Sequence, residues 1–154
     1  MDFKRKPNRL VSFDYSSKGV YFVTVCVENR ICRLGKIIYT DPVDGAQMHL
    51  SEEGQLVNET ICYLPNIFPS VIIHNHIVMP NHLHLLIELQ NTDVSLSHVL
   101  NYFKGYVTRR TQGHMWQKSF HDHIVRDEND FMNIWRYIDN NPGKWSEDQY
   151  YIPQ

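Results

Sequence analysis

HIVMPNHLHLLIEL, residues 76–89, is the stretch around which the rest of the chain is read. Side chains alternate along a strand, so residues two apart share a face. His82, His84, Leu86 and Glu88 therefore point one way, and Leu83, Leu85, Ile87 and Leu89 the other. One face is wholly apolar and requires a core. The other opens with two imidazoles, each able to offer a nitrogen to a metal ion. Met79-Pro80-Asn81 reads as a turn, preceded by a strand over Val71 to Val78 that carries His74 and His76 at the same spacing. Alternation alone does not choose between the two histidine pairs, and a partly exposed strand face without metal is an equally simple reading.

Upstream, Tyr21 to Val27 (YFVTVCV) is rich in β-branched and aromatic residues and predicts a strand. Glu28-Asn29-Arg30 predicts a turn, Ile31 to Tyr39 a second strand, and Asp41 to Gly45 a loop. Ser51 can cap a helix running to about Tyr63, ended by Pro65. Downstream, Ser95 or Ser97 caps a helix whose stripe is Leu96, Val99, Leu100, Phe103 and Val107. Met115 to Val125 reads as extended, and a last helix covers about Asp130 to Asn140, stopped by Pro142. The order strand, helix, strand, strand, helix, strand, helix predicts one α+β domain over 1–154. It is a ferredoxin-like sandwich with an antiparallel sheet, an extra hairpin strand and a terminal helix. On that last helix Phe131, Ile134, Trp135 and Ile138 form the stripe; Tyr137 flanks it and Asn141 follows one turn later. Packing alone would account for such a tyrosine.

The chain has 154 residues, 42% apolar and 21% charged, enough for a single core. No apolar run is long enough to span a bilayer, and three cysteines without CxxC spacing indicate neither a disulfide framework nor a zinc knuckle. A cytoplasmic protein is expected. The net charge of −2 hides an uneven distribution. Lys4, Arg5, Lys6 and Arg9 crowd a basic start, a candidate flexible arm over 1–12, and Lys104, Arg109, Arg110, Lys118 and Arg126 follow later against Asp122 alone. Asp41, Asp44, Glu52, Glu53 and Glu59 gather between them. Such asymmetry suits a phosphate-contacting surface, although solvated charges also cluster by chance.

With these residues in hand, HIVMPNHLHLLIEL resembles the HUH motif (His, bulky apolar, His) of the single-tyrosine transposases, most closely the REP-associated tyrosine transposases. RLVSFDYSSKGVYFVTVCVENR, MWQKSFHDHIVRDENDF and WRYIDNNPGKW agree in the same order. The resemblance implies that His82 and His84 hold a metal, Mg²⁺ or Mn²⁺, with Asn141 as a third ligand, and that Tyr137 is the nucleophile on a helix over the histidine face. The wider family has Gln where this chain has Asn141. It further implies single-stranded, hairpin-bearing DNA as substrate, cut and rejoined through a 5′-phosphotyrosine by a monomer or a homodimer. Arg5, Lys6, Arg9, Lys104, Arg109, Arg110, Lys118 and Arg126 become candidate backbone contacts. Trp116 and Phe120 become candidate stacking platforms, against a simpler reading as core. Three rivals stand beside this one: a catalytically silent hairpin-binding protein, a hydrolase using a metal-activated water, and a fold-stabilising metal site.

Overall fold

The computed structural model describes residues 18–41 and 45–154; the expected arm, with Arg5, Lys6 and Arg9, lies outside them. β1 (Gly19–Cys26) leads through a tight turn at Glu28–Arg30 into a two-stranded ribbon, β2 (Gly35–Asp41) and β3 (Gly45–Leu50). Then come α1 (Glu52–Ile67), β4 (Val71–Met79), β5 (His82–Leu89), α2 (Leu96–Arg110), β6 (His121–Ile124) and α3 (Glu128–Asn140), with a 3₁₀ turn at Pro142–Glu147. The main sheet has the order β4-β5-β1-β6, antiparallel throughout. With the ribbon set aside this is the ferredoxin-like β-α-β-β-α-β arrangement expected from the sequence.

Alternation on β5 behaves as read. Leu83, Leu85 and Ile87 join Tyr21, Val23 and Val25 of β1 in a core closed by Val57, Ile61 and Leu64 of α1 and Val99, Leu100 and Phe103 of α2. Ser51 accepts a hydrogen bond from the Gly54 N–H and Ser95 one from His98 N–H, fixing where both helices start. On the opposite sheet face α3 lays Ile134 and Ile138 on Phe22 and Leu86. Asp127 caps α3 through the Asp130 N–H.

Several expectations change. β3 runs through Gly45–Leu50, a stretch that, beyond the expected loop at Asp41 to Gly45, sequence alone assigns to no element. Its GAQMHL is short of β-branched residues, and β3 pairs only with β2. Pro65 lies inside the last turn of α1, which continues to Ile67. Of the extended Met115–Val125 segment only His121–Ile124 is a strand, with one isolated bridge from Trp116 to Val27. Arg33 ties down the stretch between α2 and this segment. Its guanidinium pairs with both Glu53 oxygens at 3.0 and 2.6 Å and donates to the carbonyls of Gln112 and His114 at 2.9 and 3.3 Å.

Candidate active site

β5 begins at His82, immediately after the Pro80-Asn81 turn, in the middle of the sheet. Antiparallel register puts Cys26 opposite His82, Thr24 opposite His84 and Phe22 opposite Leu86. The imidazoles therefore rise from the same face that α3 covers. They are fully buried, with ring centroids 4.8 Å apart.

Each ring is held at Nδ1. His82 Nδ1 lies 2.9 Å from Asn81 Oδ1, and His84 Nδ1 lies 2.8 Å from Thr24 Oγ1. Nε2 of His84 is buried with no hydrogen-bond partner. Burial pushes the pKa of His84 down to about 3, so near neutrality it is the neutral form that metals bind. The His82 ring is packed by the chain beyond α3: Tyr150 at 4.5 Å between centroids and Trp145 at 6.3 Å. A carboxylate oxygen of Asp148 stands 3.6 Å from His82 Nε2.

α3 brings the phenol. The Tyr137 ring meets His84 at 5.5 Å and Phe22 edge-on at 5.8 Å between centroids. One turn later Asn141 is buried; its Nδ2 donates to the Tyr137 carbonyl at 3.2 Å, and its Oδ1 has no partner. A buried polar atom left unpaired costs about 1–3 kcal/mol. Here an imidazole nitrogen and an amide oxygen, both electron-pair donors, are left so on the face that carries Tyr137. Indole nitrogens of Trp116 and Trp145 are also unpaired, but as N–H donors they cannot hold a cation. Among the described residues no three His, Cys, Asp or Glu side chains form a group able to hold a metal. A cation at His82 and His84 would need the Asn141 amide and oxygens from substrate or water, and the donor set fits a divalent ion on those terms.

The competing pair is dismantled by a β-bulge. Register shifts between Ile73 and Asn75, so His74 and His76 face opposite ways despite their spacing. His74 bonds Glu88 at 2.9 Å and meets Phe131 of α3, whereas His76 bonds Asn58 of α1 at 2.8 Å. The same bulge lets Asn75 donate to Asp139 on α3 at 3.1 Å. On β6, His123 pairs with Asp130 at 2.8 Å. The tyrosine helix is thus fastened at both ends.

No family model matches the chain. The described fold is similar to a solved REP-associated tyrosine transposase bound to a REP hairpin, with a TM-score of 0.68, 24% identity, and coverage of 88% of this chain and 73% of that one. An uncharacterised protein of Haemophilus influenzae is 32% identical over 96% of this chain and 93% of its own length. A predicted REP-associated tyrosine transposase of the same organism is 27% identical over 85% of this chain and 74% of its own. In sequence and in fold the chain is similar to the REP-associated tyrosine transposases.

Two of these similar proteins are transposases, enzymes that process DNA. Arg109, Arg110, Lys118 and Arg126 are exposed; Arg110 caps the Tyr106 ring at 3.5 Å. Lys104 donates to the carbonyls of Gln117 and Lys118 at 2.9 and 3.2 Å, which ties α2 to the segment before β6. Trp116 is 1% exposed and packs on Phe103, and Phe120 is buried too, so neither is a surface platform for bases. Both belong to the core, as the simpler sequence reading had it. Sequence reasoning passed over Asn81, read as a turn residue only, and Asp148 and Tyr150, which no spacing connects to His82. No helix among the described residues is long and apolar enough to cross a membrane.

Proposed function

We propose that this chain is a metal-dependent single-strand DNA transposase that cuts and rejoins hairpin-bearing DNA through a phosphotyrosine at Tyr137. The observation that carries the reading is the phenol of Tyr137 against His84, with His84 Nε2 and Asn141 Oδ1 buried and unpaired beside it. Hairpin DNA as substrate is supported by the relative whose structure holds a REP hairpin.

His82, His84 and Asn141 would hold the cation, Mg²⁺ or Mn²⁺, which when bound polarises a nonbridging oxygen of the scissile phosphate. Mg²⁺ prefers oxygen ligands, so an imidazole pair favours Mn²⁺ of the two. Tyr137, with an ordinary phenol pKa of about 10, attacks phosphorus once its proton is lost. The Tyr137 oxygen–phosphorus bond forms as the phosphorus–O3′ bond breaks, and the departing O3′ takes a proton to become a free 3′-OH. The phosphodiester energy is kept in the tyrosyl ester, so a second 3′-OH can reverse the step onto a new end. α3 holds the phenol at the histidines in advance, removing much of the orientational cost of the attack. Arg109, Arg110, Lys118 and Arg126, with Arg5, Lys6 and Arg9 of the N-terminal arm, are candidates to bind the DNA backbone.

Purified protein incubated with Mn²⁺ and a pool of labelled single-stranded hairpins with varied flanks should cut the DNA. Chelation, and separately Tyr137→Phe, should abolish cutting. Cleavage that survives Tyr137→Phe but not chelation would replace this reading with a water-using phosphodiesterase. Tight binding of a hairpin that is never cut would favour a silent binder.

A further inference from the structure

Asn81 has no role in the reading above, yet it is 1% exposed in a turn and both polar atoms of its side chain are engaged. Its Nδ2 donates to the carbonyls of Tyr150 and Arg30 at 2.8 and 3.2 Å. Arg30 and its neighbour Asn29 have φ of 57° and 58°, a left-handed turn unusual for an arginine. Carbonyls only accept hydrogen bonds, so the amide orientation is settled by its surroundings. Oδ1 must then face His82 Nδ1, 2.9 Å away. An amide oxygen also only accepts. The hydrogen of a neutral His82 is therefore on Nδ1, and the lone pair is on Nε2.

At His84 the partner is a hydroxyl, which can donate or accept, so the bond from Thr24 does not settle the tautomer by itself. The surroundings do. Were the hydrogen on Nε2, it would be a buried donor with no acceptor, a costly arrangement. With the hydrogen on Nδ1 donated to Thr24 Oγ1 at 2.8 Å, the unpaired atom is a lone pair aimed into the site. Thr24 is 6% exposed on the neighbouring strand, directly across from His84 in the register.

We infer that Asn81 and Thr24 are positioning residues, each holding one histidine of the pair through its Nδ1 so that Nε2 is the nitrogen turned to a metal. The role rests on the metal-dependent reading above. Partners of this kind fix ring orientation and raise ligand basicity, and losing one commonly costs about 10–100-fold in metal affinity.

The test uses the full chain with ¹⁵N-labelled histidine, read by long-range ¹H–¹⁵N correlation without metal, then titrated with Mn²⁺ and followed by loss of its solution electron-spin signal. Wild type should show His82 and His84 both protonated at Nδ1. Thr24→Val, which keeps the branched shape the strand prefers and removes the hydroxyl, should shift the His84 tautomer and weaken Mn²⁺ binding about 10–100-fold. Thr24→Ser should restore both. Nε2–H tautomers in wild type, or a Thr24→Val protein indistinguishable from it in tautomer and Mn²⁺ affinity, would overturn the positioning role alone. A wild-type protein that binds no Mn²⁺ would overturn the metal-dependent reading and the role that rests on it.

Discussion

His84 concentrates the cost of building this site. Burial holds its pKa at about 3 and also lowers that of His76, while both would titrate near 6.5 in an unfolded chain. Between those values the unfolded state binds protons that the folded state does not, so stability falls as pH falls. Metal-free protein should have its full stability above about pH 6.5 and lose it progressively toward pH 3. Thermal melts at pH 7, 6 and 5 should show a falling midpoint, with a shallower fall in His84→Gln. A midpoint that rises on acidification would contradict the burial described. The pairing of His82 with His84 was legible from alternation and from the HUH resemblance. That His74 and His76 are not the pair was legible from the resemblance but not from alternation, because a single bulge residue reverses the face of everything after it and leaves no mark in the spacing.

Among the elements, α3 carries the most consequence. Its apolar stripe was legible from spacing alone, and Ile134 and Ile138 do form the buried contact with Phe22 and Leu86. What spacing could not give is which sheet face it would cover, or that Asn75 and His123 on the two outer strands would hold its ends through Asp139 and Asp130. Ile138→Ala should cost about 2–4 kcal/mol of stability and lower cleavage further than stability explains, since it loosens the turn between Tyr137 and Asn141. Denaturant melts beside cleavage rates at a temperature where the variant is fully folded would check this; equal cleavage by the folded variant would show that α3 docking does not limit the chemistry. By contrast, Arg33→Met should cost about 1 kcal/mol or less in denaturant melts, by releasing a partly exposed Glu53 pair, with unchanged Mn²⁺ affinity. The ribbon strand β3 escaped prediction because its alternation is weak: Ala46, Met48 and Leu50 are only half-buried on one face, and Gly45, Gln47 and His49 are exposed on the other.

For the whole molecule, one chain supplies every proposed catalytic group to one site: Tyr137 lies against the His84 of its own sheet. Mixing Tyr137→Phe with His84→Ala should therefore restore no cleavage, because neither chain then holds a complete site. Restored cleavage would mean that α3 serves a partner's histidines, and the arrangement described would have to open. Composition and order gave the ferredoxin-like class because each strand and helix of that core carries its own local pattern. The segment after α3 was not readable: Trp145, Asp148 and Tyr150 reach His82 only through tertiary packing.

The proposed covalent joining of Tyr137 to DNA is read by mass spectrometry. Protein trapped with a hairpin substrate and Mn²⁺ would be digested with nuclease and then trypsin. The tryptic peptide Tyr137–Lys144 should carry a 5′-phosphonucleotide on the tyrosine. Cut DNA with no adduct on any peptide, or an adduct on a different residue, would contradict it.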